Sequence, residues 1–121
     1  MLFDNLAELG GAIYAEEGTI FIEHSQIYEN KADYGAGIYL QEAHISMSNS
    51  ECTNQLALQD GGCIFSRNFV TGRVDNSVFS ENFCAGNGGG IYLQNANELT
   101  FFGCQILNNT ALNGGGIYFS G

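Results

Sequence analysis

The chain has 121 residues and a mass of 13.0 kDa, which is enough for one domain. Hydrophobic residues make up 45% of it and charged residues only 13%, and this balance excludes a disordered acidic tail. Its formal net charge of −10 repels phosphate, so we expect neither nucleic acid nor an anionic membrane surface as a partner. No apolar run is long enough to span a bilayer, so we expect no membrane insertion of this segment.

A glycine-rich motif recurs along the whole chain. In each copy, glycines and small residues precede an isoleucine and an aromatic ring, and the isoleucines lie 25, 26, 27 and 26 residues apart. The copies span residues 10–14, 35–39, 61–65, 88–92 and 114–118. Self-similarity at a period of this length is the signature of a stacked repeat protein.

A second motif precedes each glycine motif, and Phe79-Ser80-Glu81-Asn82 is its fullest form. Segments 27–30 and 106–109 match it, and segments 2–5 and 52–55 are weaker copies. The remaining part of each period is short, rich in β-forming residues and alternates with a period of two, as in 19–22. Each repeat is therefore predicted to be one coil of short strands joined by glycine-rich or asparagine-rich turns.

A period of about 26 residues is too short for a helix-turn-helix repeat, and the leucine spacing of leucine-rich repeats is absent. The sequence predicts an all-β fold, a parallel β-helix (solenoid) of about five coils with about 26 residues each. We expect it to be right-handed, because parallel crossover connections are right-handed. We expect residues 1–121 to form a single domain that is a segment of a longer repetitive protein.

Residues at the same position in successive coils form columns along the axis. A column made only of isoleucine predicts inward side chains, and it comprises Ile13, Ile38, Ile64, Ile91 and Ile117. Strand alternation then places the next residue of each copy on the outer face. This outer column is the candidate binding or packing stripe, and it comprises Tyr14, Tyr39, Phe65, Tyr92 and Tyr118. Such a stripe can stack on sugar rings, bury against another protein, or only stack on itself.

Amide side chains end each copy of the second motif and form the candidate structural ladder. The ladder comprises Asn5, Asn30, Gln55, Asn82 and Asn109. Asparagine tolerates left-handed backbone, so we expect this column to form a sharp corner of each coil. Stacked amides also hydrogen-bond along the axis of in-register β stacks.

Gly10-Gly11-Ala12-Ile13 and Phe79-Ser80-Glu81-Asn82 resemble the paired GGAI and FxxN tetrapeptides of the polymorphic outer membrane proteins (Pmp) of chlamydial surfaces. The resemblance covers nearly the whole chain in five copies, and similar repeats occur in other microbial β-helix surface proteins. It implies a passenger-like β-helix at the cell surface, used for adhesion or as an extracellular scaffold. It implies no catalytic activity.

The four cysteines are Cys52, Cys63, Cys84 and Cys104, and none has the CxxC spacing of a zinc site. No two of them fall in the same column of adjacent coils, where a disulfide would form most easily. We therefore expect free cysteines that act as small core residues. A disulfide between different columns, formed in an oxidising compartment, is the alternative.

We expect no catalytic residues, no metal and no cofactor. His24 and His44 stand in different columns, and the column of Glu17 and Glu42 continues with uncharged asparagines, so no calcium site is expected. The sequon Asn108-Asn109-Thr110 makes Asn108 a candidate glycosylation site.

These features predict a non-enzymatic extracellular module with a structural or adhesive role: a scaffold, a surface adhesin passenger or a building block of a fibre. Its open ends would contact further coils of the same chain or neighbouring subunits. Its outer face would bind a glycan, or a protein of the host or cell surface. The alternative is a carbohydrate-active enzyme or a carbohydrate-binding module. A depolymerising enzyme would need paired acids, or calcium with a basic residue, and only Lys31, Arg67 and Arg73 are basic.

Overall fold

In the computed structural model, which describes residues 1–95 and 98–121, the chain winds into a coil of short parallel strands. It makes four complete turns and part of a fifth. The strands in chain order are β1 Leu2–Phe3, β2 Ile13–Glu16 and β3 Thr19–Glu23 in coil 1; β4 Gln26–Tyr28, β5 Lys31–Ala32, β6 Ile38–Gln41 and β7 His44–Ser48 in coil 2; β8 Glu51–Thr53, β9 Leu56–Ala57, β10 Ile64–Arg67 and β11 Thr71–Asp75 in coil 3; β12 Val78–Ser80, β13 Phe83–Cys84, β14 Ile91–Gln94 and β15 Glu98–Phe102 in coil 4; and β16 Gln105–Leu107 and β17 Ile117–Ser120 in coil 5. The predicted parallel β-helix is confirmed.

Four sheets run along the axis, and each strand pairs with its equivalent one coil away. Sheet 1 has the order β1-β4-β8-β12-β16, sheet 2 β5-β9-β13, sheet 3 β2-β6-β10-β14-β17 and sheet 4 β3-β7-β11-β15. All the strand pairs within these sheets are parallel, because successive coils run in the same direction. No helix that is long and apolar enough to cross a membrane occurs in the described part of the chain.

The register of the sheets reproduces the columns read from the sequence. In sheet 3, Ile64 pairs with Ile38 below and Ile91 above, and all three side chains lie in the main core. The core is also filled from the other sheets, for example by Phe79 of sheet 1 and Val74 of sheet 4, which are both fully buried. Because side chains alternate along a strand, a slip of one residue would expose this entire inner face.

The corners of the coil lie one residue earlier than the sequence analysis expects. Left-handed backbone precedes the amide column, with φ between 52° and 57°, at Asp4, Glu29, Asn54, Glu81 and Asn108. The assignment of the corner to the amides themselves is therefore wrong. The physical reason is that the amide must point into the coil to bond its neighbours, so the residue before it takes the turn, with its own side chain exposed at all five positions.

A disulfide between Cys52 and Cys63 corrects the expectation of four free cysteines. The two residues belong to one coil, 11 positions apart, and their Cα atoms are separated by 6.2 Å across the interior. Gly37, one coil below, leaves room for it, because an added Cβ would lie 2.9 Å from the Cys52 Sγ atom. Cys84 and Cys104 are free thiols. The bridge joins two different columns, which is the alternative that the sequence left open. A comparison of neighbouring coils does not show which columns face each other inside a single coil.

We expect two thiols, not four, to react when the chain is unfolded without reductant. Unfolding is needed for the count because burial raises the pKa of the Cys84 thiol to about 11 and keeps it protonated in the folded chain. The intact mass should be lower than that of the reduced chain by two hydrogens. Reduction should lower the free energy of unfolding by about 3 kcal/mol, as expected for a closed loop of this size. Four reactive thiols before reduction would contradict the bridge.

Candidate functional site

The aromatic column of sheet 3 forms a continuous stack. Successive ring centroids are 5.2, 5.3, 4.8 and 5.2 Å apart from Tyr14 to Tyr118, and the interplanar angles are 8°, 9°, 8° and 22°. The rings point away from the main core, because the isoleucines beside them point inward. Parallel stacking at the coil spacing therefore fills the space between rings and holds adjacent strands in register.

The inner rings of this stack are buried, whereas a stripe that binds ligands on its ring faces would have to expose them. Tyr39, Phe65 and Tyr92 are only 3%, 5% and 8% exposed, while Tyr14 at the end of the stack is 48% exposed. Tyr34 covers them, with its ring edge-on to Phe65 at 5.2 Å. Because each inner ring has another ring against both faces, sugar rings cannot stack on those faces. Only the ring edges and the rims beside them are accessible to a ligand.

A groove of about 360 Å³ lies over the edges of the inner rings. Its floor is the aromatic stack, one rim carries the residues that precede the glycine turns, and the other rim carries the polar column at the end of each strand of sheet 3. The lining residues are Leu9, Tyr34, Tyr39, Asp60, Phe65, Arg67, Tyr92 and Gln94. The groove thus combines an apolar floor with one carboxylate and one guanidinium, a composition typical of small-ligand sites.

The hydroxyls of Tyr14 and Tyr39 bond to the polar column two residues ahead, and that of Tyr92 bonds the same column one coil further on, at Ser120. Tyr14 donates to Glu16 Oε2 at 2.8 Å, and this hydrogen bond raises the pKa of Tyr14. Tyr39 donates to Gln41 Oε1 at 3.3 Å. The pattern is interrupted in coil 3, where Phe65 has no hydroxyl. At that position the groove lacks the oxygen that the neighbouring coils supply.

The amide column is a hydrogen-bonded ladder that joins all five coils. Each backbone N–H in the column donates to the side-chain oxygen of the next coil, and the four distances are 2.9, 2.9, 3.0 and 2.9 Å from Asn5 to Asn109. Each amide nitrogen from coil 2 onwards donates back to a carbonyl oxygen of the preceding coil; Asn82 Nδ2, for example, bonds the Cys52 carbonyl at 3.0 Å. One amide therefore satisfies a donor and an acceptor of the coil before it, which makes the column a structural element.

A second ladder of serines, which the sequence analysis did not single out, lies between sheets 4 and 1. The N–H groups of Ser25 and Ser50 donate to the hydroxyl oxygens of Ser50 and Ser77 at 3.0 and 3.2 Å. Each hydroxyl donates to the carbonyl oxygen two residues earlier. Cys104 continues the column with a thiol. The signal in the sequence was the spacing of these serines at the repeat period.

Two buried serines provide a matched test of the ladders. Ser77 is bonded on both sides, whereas the hydroxyl of Ser66, equally buried, has no partner in the described part of the chain. Ser77→Ala should lower the free energy of unfolding by about 1–3 kcal/mol, because it leaves the buried N–H of Ser50 without an acceptor. Ser66→Ala should raise it by about 1 kcal/mol, because it removes an unpaired buried hydroxyl. Chemical denaturation would measure both, and an equal loss in the two variants would argue against the ladder.

Asn108 lies outside the ladder and is exposed. Its Nδ2 atom donates to Glu81 Oε1 at 3.2 Å, while the next residue, Asn109, supplies the ladder amide. The side chain that glycosylation would modify is thus separate from the side chain that holds the coils together. No group of three or more potential metal-ligating His, Cys, Asp or Glu residues is found among residues 1–95 and 98–121.

Comparison with known proteins agrees with this architecture. The family described as the right-handed β-helix region matches residues 10–121. The chain belongs to this family. It is 33% identical over 123 aligned positions to the probable outer membrane protein PmpG of Chlamydia muridarum (strain MoPn / Nigg), an alignment that covers 94% of the chain but only 12% of the relative. No solved structure gives a significant match.

Proposed function

We propose that this β-helix is a non-enzymatic, Pmp-type segment of a cell-surface protein and serves as an extracellular structural or adhesive module. The observation that carries the proposal is the similarity of nearly the whole chain to a segment of a probable outer membrane protein. The fold supports it, because a stack of coils held by ladders provides a rigid extended support. The polar interior groups of the ladders serve stacking, which leaves the outer surface for contacts.

The end faces support a module that works within a longer stack. At the last coil, Ile117 and Phe119 are 44% and 59% exposed, whereas Ile64 and Ile91, the equivalents of Ile117 in coils 3 and 4, are buried. At the first coil, Leu2 is 37% exposed, while Ile27 above it is buried. Apolar surface of this kind, next to strand edges with free backbone groups, favours addition of more coils. We propose that further coils of the same chain, or neighbouring subunits, cover these faces.

A charge on one end face should distinguish this arrangement from a self-contained coil. If the end faces associate, the sedimentation coefficient of the isolated wild-type chain rises with concentration. Phe119→Lys places an ammonium group in an inward column of the last strand, and we expect this variant to show a smaller rise. Phe69→Lys is the matched control, because Phe69 is 73% exposed on the lateral surface. A wild-type chain that sediments as a concentration-independent monomer would contradict the proposal for the end faces.

Surface location and adhesion are tested on the source cells. Antibodies raised against the 121-residue chain should label intact cells as strongly as permeabilised cells, and the purified chain should block attachment of those cells to their substratum or host. Labelling only after permeabilisation would refute the surface assignment. Turnover of pectin or alginate by the purified chain would instead support the alternative, a carbohydrate-active enzyme.

A further inference from the structure

We propose that the groove over the aromatic stack binds a neutral, hydroxyl-rich ligand, namely a short saccharide, through Asp60 and Arg67. This deepens the proposed adhesive function by assigning a ligand class to one surface of the module. The volume of about 360 Å³ lies at the lower end of the range for small-molecule sites, which fits one or two sugar residues.

The missing hydroxyl of coil 3 defines where the ligand is held. Phe65 stacks between Tyr39 and Tyr92 at 5.3 and 4.8 Å, so its ring edge lies level with theirs but carries no oxygen. The residue two positions ahead, where the other coils have Glu16, Gln41, Gln94 and Ser120, is Arg67 in this coil. A ligand hydroxyl in the position of the absent phenol oxygen would accept an N–H bond from the guanidinium.

Arg67 is available for such a bond. It is exposed, and no carboxylate among residues 1–95 and 98–121 forms an ion pair with it. The exposed Arg73, by contrast, is held by Asp75 at 2.7 Å and lies over the ring of Phe102. A guanidinium donates N–H bonds but cannot accept them, so its ligand must offer an acceptor oxygen.

Asp60 supplies the complementary acceptor on the opposite rim. Its Oδ1 atom accepts the backbone N–H of Asn87 at 2.7 Å, which fixes the orientation of the carboxylate. The second oxygen, Oδ2, has no hydrogen-bond donor in the described chain. A carboxylate accepts hydrogen bonds but donates none, so its ligand must offer a donor. A sugar hydroxyl both donates and accepts, and adjacent hydroxyls therefore match this pair of residues.

Charge favours a neutral saccharide. Asp60 and Arg67 cancel each other, so the groove is locally neutral on a chain whose formal charge is −10. An acidic sugar would be repelled by the rest of the surface, and a cationic ligand would meet Arg67. The apolar edges of the rings then contact the C–H groups of the sugar, since their faces are occupied by each other.

The test compares the chain with variants that copy the neighbouring coils. Phe65→Tyr gives coil 3 the tyrosine that the other four coils carry and fills the position of the missing hydroxyl. Arg67→Gln gives it the glutamine of coils 2 and 4. Both preserve the stacking pattern, and thermal melting would verify the fold. Arg73→Gln, on sheet 4 outside the groove, is the control.

Saturation-transfer NMR titrations with maltose, lactose, cellobiose and diacetylchitobiose measure binding, with methyl glucuronide and an acidic peptide as comparison ligands. We expect at least one neutral disaccharide to bind with a Kd of about 1 mM. Phe65→Tyr and Arg67→Gln should each weaken it about tenfold, as the loss of one charge-assisted hydrogen bond predicts, while Arg73→Gln leaves it unchanged.

Three results would overturn the inference: no binding of any of the four disaccharides, binding that Phe65→Tyr and Arg67→Gln leave unchanged, or binding of only the glucuronide or the peptide. The outcome is separable from that of the proposed function. If the wild-type chain and Phe65→Tyr block cell attachment equally, the proposed adhesive function is supported, and adhesion occurs through a surface other than the groove. If disaccharides bind but the chain does not block attachment, the groove is a saccharide site and the proposed adhesive function is refuted.

Discussion

Hydrogen bonds that run along the axis hold each coil to the next, and they determine which side chain each position can carry. Parallel pairing places every residue directly above its equivalent, so the same position must suit the same environment in each coil. The amide ladder adds bonds to which the side chain of Asn82, for instance, contributes both as acceptor for Gln55 N–H and as donor to the Cys52 carbonyl. Buried polar groups are satisfied in this way without any contact to solvent.

Besides the main core and a small cluster around the alanines of sheet 2, this constraint gives the coil a second large apolar region, on the outer side of sheet 3. Inward residues of sheets 1, 3 and 4 fill the main core, while the outward rings of sheet 3 form a separate stack covered by Tyr34 and Leu9. The second region is possible because the residues before the glycine turns lie beside sheet 3 and cover the rings. Burying aromatic surface outside the main core stabilises the sheet while leaving a groove at its edge.

Irregularities in an otherwise repetitive coil are concentrated in coil 3. Phe65 replaces a tyrosine, Arg67 an uncharged or acidic residue, Ser66 an aliphatic or aromatic residue, and Cys63 forms the bridge to Cys52. A repeat tolerates such departures because each coil contacts only its neighbours. The bridge constrains coil 3, and the same coil supplies Asp60 and Arg67, the two charged residues of the groove.

The repeats alone predict the period, the strand columns, the inward direction of the isoleucines and the amide column, because in-register stacking converts repetition into contact. The left-handed corner at Glu29 rather than Asn30 was decided by the tertiary structure, since the amide must point inward to reach Gln55. The Cys52–Cys63 bridge and the burial of Phe65 under Tyr34 were likewise decided there. These contacts join different columns. The distance between two columns depends on how tightly the coil turns, and the repeats in the sequence do not show this.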